Sequence, residues 1–132
     1  MKRLWDGVVR DPGVVKVTSF ADGATLDVPG QPRIWHLPGH MRGRCALHLS
    51  DASVLFSGDV LITDDPSTRR SGPRLLVKVN QDDWQARAPL DELAGVHARL
   101  LSPGLEAPWG DGVAAAVTEA RRGGLRRWTR RK

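Results

Sequence analysis

Tyrosine is absent from these 132 residues, phenylalanine occurs twice, and cysteine once. The lone thiol, Cys45, has no second cysteine in the chain to pair with, which excludes an internal disulfide and suits a reducing compartment; the cytoplasm is the expected address. Long apolar runs are also lacking. No stretch of signal-peptide length follows the basic Met1-Lys2-Arg3, and none approaches the roughly 18 apolar residues of a membrane span. The chain reads as soluble, with no membrane partner. Histidine is sparse and scattered: His36, His40, His48 and His97, no two of them separated by a single residue.

What is present is enough for one domain, at 40% hydrophobic content. The net charge of +5 is concentrated at one end. Seven basic residues and no acid lie from Arg121 onward, leaving 13 basic against 15 acidic side chains upstream, a balance of −2. The body is therefore not a basic surface. Residues 1–122 are expected to form the domain and 123–132 a basic C-terminal tail, read as a solvated, frayed terminus. Attraction of this tail to phosphate or anionic lipid is the alternative. Nothing upstream interleaves aromatic and basic residues as nucleic-acid surfaces do, so nucleic acid is not the expected partner.

Short strands precede helices. Residues 14–20 and 24–28 are rich in β-branched side chains around Ala21-Asp22-Gly23, a hairpin pattern. Strands are expected at Arg33 to Leu37, Arg44 to Leu49 and Ser53 to Ser57, punctuated by Pro38-Gly39-His40 and Ser50-Asp51. A short helix is expected to open near Trp84, capped by Asp82 or Asp83 and broken by Pro89. A second follows over Leu90 to Leu101, with Leu93, Val96 and Leu100 at helical spacing and His97 beside them. The last helix is expected from Gly112 to Arg122, capped by Asp111 and closed by Gly123-Gly124.

The chemistry lies between Trp35 and Asp65. His40 follows a Pro-Gly turn at the exit of one strand, and Asp59 follows Gly58 at the end of the apolar strand Val54-Leu55-Phe56-Ser57. Imidazole and carboxylate presented at strand ends can share a divalent ion, both being good zinc ligands.

These pieces resemble the metallo-β-lactamase-fold hydrolases. Asp22-Gly23-Ala24-Thr25-Leu26-Asp27-Val28-Pro29-Gly30, Pro38-Gly39-His40-Met41-Arg42-Gly43, Leu55-Phe56-Ser57-Gly58-Asp59 and Leu101-Ser102-Pro103-Gly104-Leu105 follow, in order and approximate spacing, the second half of that family, over about residues 8 to 122. The resemblance implies an α/β (α+β) fold: the C-terminal half of an αββα sandwich, a mixed sheet with helices on one face. It also implies a zinc-dependent hydrolase site in which His40 is a metal ligand and Asp59 the carboxylate bridging two metals.

Three departures follow. Leu105 stands where the pattern supplies a final histidine, Met41 replaces the usual threonine with Arg42 and Arg44 close by, and the His-any-His-any-Asp-His motif of the first half has no counterpart. A full site of five histidines and two aspartates is reduced to one of each. Two ligands do not reproduce the roughly 10 to 16 kcal/mol of a four-ligand zinc site, so zinc binding is expected to be weak or absent. The expected protein is a degenerate or truncated half-domain, arising by truncation or an internal start and not an enzyme as an isolated chain. The alternative is a hydrolase completed by a partner.

Other polar residues read as structure. His48 and His97 are packing residues, Cys45 a small core hydrophobe. Thr63-Asp64-Asp65-Pro66 is a loop, and Arg69, Arg70 and Arg74 are solvated loop charge rather than an anionic substrate path. A lone half leaves a sheet face uncovered, with Leu47, Leu49, Leu55 and Val60 as candidates for it. The expected partner is a second copy in a homodimer, or a chain carrying the missing half.

Overall fold

The computed structural model describes residues 13, 16–38, 43–65, 69–78, 83–123 and 125–128. Strands β1 (Arg33–His36), β2 (Cys45–Leu49) and β3 (Val54–Gly58) run as an antiparallel meander. Next come β4 (Leu61–Asp65), β5 (Arg70–Lys78), helix α1 (Asp83–Ala94), β6 (Leu100–Pro103), helix α2 (Val113–Gly123) and β7 (Leu125–Trp128). One sheet has the order β1-β2-β3-β6, the other β4-β5-β7. The pairs β3·β6 and β5·β7 are parallel, so each is reached by a crossover. This is a mixed α/β fold, as the resemblance implied.

The register assigns the two faces of the larger sheet, because side chains alternate along each strand and partners share a face. Trp35, Ala46, His48, Leu55 and Leu101 lie on one face. Ala46, Leu55 and Leu101 are fully buried there, in a core with Leu61 of β4, Leu75 of β5, Leu90 and Leu93 of α1, and Val113, Ala116, Val117 and Ala120 of α2. The α2 residues recur at the i, i+3, i+4, i+7 spacing that puts one stripe against a sheet.

The opposite face carries Ile34, His36, Cys45, Leu47, Leu49, Val54, Phe56, Leu100 and Ser102. Among the described residues no helix covers it: Phe56 is 44% exposed and Cys45, Leu47, Leu49, Val54 and Leu100 are half-buried, whereas Ile34 is 1% exposed and the turn at Gly30 packs on Leu49. Leu47 and Leu49 thus lie on the open face as expected. Leu55 and Val60 do not; both are buried in the core, Leu55 because its register sets it on the first face.

Other expectations are corrected. Described residues 16–28 form no hairpin. Residues 24–26 instead bridge to the edge of β1, with Thr25 opposite Arg33, Ile34 N–H donating to the Ala24 carbonyl at 2.8 Å and Leu26 N–H to that of Pro32 at 3.0 Å. Pro89 does not break α1, which runs through it to Ala94. A proline inside a helix costs about 3 kcal/mol, and burial of Leu90 and Leu93, each contributing roughly 1.5–3 kcal/mol, offsets that. Leu100 and Leu101 lie in β6, and His97 is an exposed loop residue.

Helix α2 is capped by Gly112 rather than Asp111. The Gly112 carbonyl accepts the Ala116 N–H at 3.1 Å, and its φ of +91° favours glycine. Thr63, Asp64 and Asp65 belong to β4, where Asp64 and Asp65 pair with Ser71 and Arg70. The tail is not frayed at Leu125–Trp128, which pairs with β5 from Leu75 to Lys78. Among the described residues no helix is long and apolar enough to cross a membrane.

Candidate functional site

One end of the larger sheet gathers the chemistry. Because β2 is antiparallel and β6 parallel to β3, the exit of β1, the entry of β2 and the exits of β3 and β6 all fall at that end. The loop from Pro38 to Gly43 leaves and returns there, closed by Leu37 N–H donating to the Arg44 carbonyl at 2.9 Å. His40, Met41 and Arg42 sit in this loop and lie outside the described residues.

Asp59 is placed by a local break in β3. The register shifts between Phe56 and Gly58, and Gly58 takes φ +53°, turning the chain so that Asp59 leaves the strand exposed. Gly104 N–H donates to the Gly58 carbonyl at 3.1 Å, stitching the ends of β3 and β6 together. A Cβ at Gly104 would lie 3.0 Å from Asp59 Oδ1 and 3.6 Å from the Gly58 carbonyl carbon. The residue after Gly104 is Leu105, 89% exposed. The structure therefore brings Asp59 and the Leu105 position to the same sheet end. The closeness of Gly104 to Asp59 was not read from the sequence; the Pro103-Gly104 pair was its only signal.

Gly104→Ala should be tolerated. The methyl makes ordinary contact with the Gly58 backbone, and the atom it crowds, Asp59 Oδ1, ends an exposed and rotatable side chain, so we expect a change within about 0.5 kcal/mol. A larger fall in the urea midpoint would show that the junction is rigid.

The charge near Asp59 comes from arginine. Burial holds the Arg44 guanidinium below its ordinary pKa, and attraction to the Asp59 carboxylate opposes that shift. A half-buried cation thus acts on the carboxylate expected to bridge metals. Among the described residues no three His, Cys, Asp or Glu side chains come together as a metal group. The described residues at this end, Asp59 with Arg44 and Leu105, do not by themselves supply the ligands of a two-metal centre.

The remaining candidates are spread over both ends of the sheet. His48 Nε2 donates to the His97 carbonyl at 3.2 Å at the opposite end of the sheet, where Leu49 faces Val54. That end also has a shallow hollow of about 260 Å³ bounded by Ser53, His97, Arg99 and Gly112. His36 lies at the site end, its backbone N–H donating to Asp22 Oδ1 at 2.9 Å. Cys45 is a half-buried free thiol on the open face. Arg69 and Arg70 are exposed, whereas Arg74 is half-buried and lies along the C-terminal end of α2 at Gly123. That position complements the negative end of the helix dipole.

No protein-family model matches the chain, and no curated protein does. Solved structures do. The metallo-beta-lactamase family protein TTHA1429 from Thermus thermophilus is 27% identical, with a TM-score of 0.59 over 79% of this chain and 34% of that one. A beta-lactamase domain protein from Burkholderia ambifaria is 21% identical, with a TM-score of 0.62 over 85% and 35%. TTHA1623 in a di-iron-bound form is 23% identical, with a TM-score of 0.56 over 79% and 48%. The chain spans between a third and about half the length of these proteins.

Proposed function

We propose, for a chain whose fold is part of a metallo-β-lactamase domain, that its own residues do not sustain the metal-dependent hydrolysis that such domains suggest, and that it acts through association. The observation that carries this reading is the make-up of the site end: Asp59 faces the charge of Arg44, and Leu105 is exposed where the resemblance puts a histidine. Activating water requires a firmly held ion with an open coordination position. Asp59 and His40 are the two ligand positions available for one, and neither zinc nor the iron of the di-iron neighbour is expected to be retained.

The test is hydrolysis of a generic ester by the purified chain with added zinc or iron(II). The expected rate is that of metal in buffer alone. A rate above buffer that is saturable in substrate and lost in Asp59→Asn would overturn the proposal.

A second reading is a hydrolase completed by another polypeptide. The convergence of the Pro38–Gly43 loop ends, Asp59 and Leu105 at one sheet end favours it, because a partner docked there would meet all three at once. The 132-residue chain would then gain ester hydrolysis only on addition of that partner.

A further inference from the structure

We infer that strand β7, with the residues that follow it, is a binding surface for the phosphate backbone of single-stranded nucleic acid. Charge is left over there. Arg121 and Arg122 are answered within the chain, by Asp91 at 2.7 Å and by Glu119 at 3.5 Å. Arg126, Arg127, Arg130, Arg131 and Lys132 follow with no acid among them.

A frayed terminus would scatter these cations, whereas a strand holds the first of them in line. β7 pairs in parallel with β5, setting Arg126 beside Leu76, Arg127 beside Val77 and Trp128 beside Lys78, so no acid stands opposite them in that register. It is also an edge strand, paired on one side among the described residues. The acids of this sheet, Asp64 and Asp65, lie at its other end, opposite Ser71 and Arg70.

The topology fixes where β7 leads. Leu61, two residues after Asp59, is level with Leu75 and Leu125, and from there β5 and β7 run opposite to β4. They advance toward the end at which β4 begins, the Asp59 end, about 10 Å or two strand spacings from the line of β4. In and just beyond these strand ends, Lys78 brings the cations to six, and Asp59, Asp82 and Asp83 subtract three, so an excess of three positive charges remains.

The residue types select the partner. Four of the five cations from Arg126 onward are arginine, whose planar guanidinium takes a phosphate on two N–H donors. Trp128 among them is a residue type that stacks on unpaired bases. A lipid surface is less well matched. Stable anchoring there takes a buried apolar face or chain beside the basic residues, and Leu125, the one aliphatic residue from Gly123 onward, is level with buried Leu75. The inference names a partner for the association proposed above and rests on that reading in taking binding, not cleavage, as the outcome.

Fluorescence anisotropy of a fluorescein-labelled oligothymidylate of about 20 nucleotides, titrated with the whole chain, tests this. The expected dissociation constant is on the order of 1–100 μM at physiological salt, and log K should fall against log salt with a slope of about −2 to −3.5, as roughly three to five phosphate contacts require. Arg130→Gln combined with Arg131→Gln, two changes beyond β7, should make the slope shallower by about 1.4. Trp128→Leu should weaken binding about fivefold and leave the slope unchanged. If circular dichroism shows that Trp128→Leu unsettles the fold, the arginine pair decides alone. No binding at about 100 μM would overturn the inference. So would an unchanged slope in the arginine variant, or competition by polyglutamate as effective as that by unlabelled oligonucleotide at equal charge. Association instead with vesicles of phosphatidylserine and phosphatidylcholine would also overturn it, assigning the surface to lipid. None of these outcomes alters the ester-hydrolysis test, so the two readings fail separately.

Discussion

Leu55→Ala is expected to destabilise the chain by about 2–5 kcal/mol, the range for emptying a leucine site in a packed core. Leu55 is 0% exposed on β3, the strand flanked by β2 and β6, and joins the core beneath both helices. Native domains are stable by only about 5–15 kcal/mol, so this single change removes a large share. The neighbouring Phe56→Ala supplies the internal control. Phe56 points the other way and is 44% exposed, so the larger truncation should cost about 1 kcal/mol or less in the monomer, well under the roughly 3–5 kcal/mol of a buried phenylalanine. Urea denaturation of both variants at low micromolar concentration checks the pair. Equal losses would mean that both faces of β3 are covered within one chain.

The second large effect concerns the site. Leu105→His, combined with Arg44→Leu, is expected to raise zinc affinity by at least roughly 10- to 100-fold over the unaltered chain. Loss of even an outer partner costs a metal site that much, and here a ligand is added while a cation near Asp59 is removed. Leu105 is well placed to accept the change, being 89% exposed. Arg44→Leu alone should give the smaller part of the gain, because it removes repulsion without adding a ligand. Calorimetric titration with zinc checks all three proteins. An unchanged affinity in the double variant would show that position 105 does not face the metal position.

Much of this fold is legible in the residues themselves. Alternation and turn signals locate β1, β2 and β3 within a residue or two, and the Gly58-Asp59 and Pro103-Gly104-Leu105 pieces do meet at one sheet end. Three features escape local reading. Pro89 is a helix breaker by local rules, yet α1 continues because Leu90 and Leu93 gain more from the core than the lost hydrogen bond costs. Residues 24–28 look ready to pair with 14–20, but residues 24–26 bridge to β1 instead. The basic tail conceals a strand, since only β5 reveals what Leu125–Trp128 pairs with.

The open face escapes for a related reason. Both parities of β3 are apolar, with Leu55 on one side and Val54 and Phe56 on the other, so composition does not distinguish the covered face from the partly covered one. That duplication is itself informative. A strand apolar on both faces is suited to lie between two layers, and among the described residues the Val54 and Phe56 side is only partly covered.

The measurement closest to the central claim is the metal content of the chain, purified without chelator and analysed by plasma mass spectrometry. The account predicts well under one ion of zinc or iron per chain, unchanged by Asp59→Asn. One or two ions per chain, lost in that variant, would contradict it.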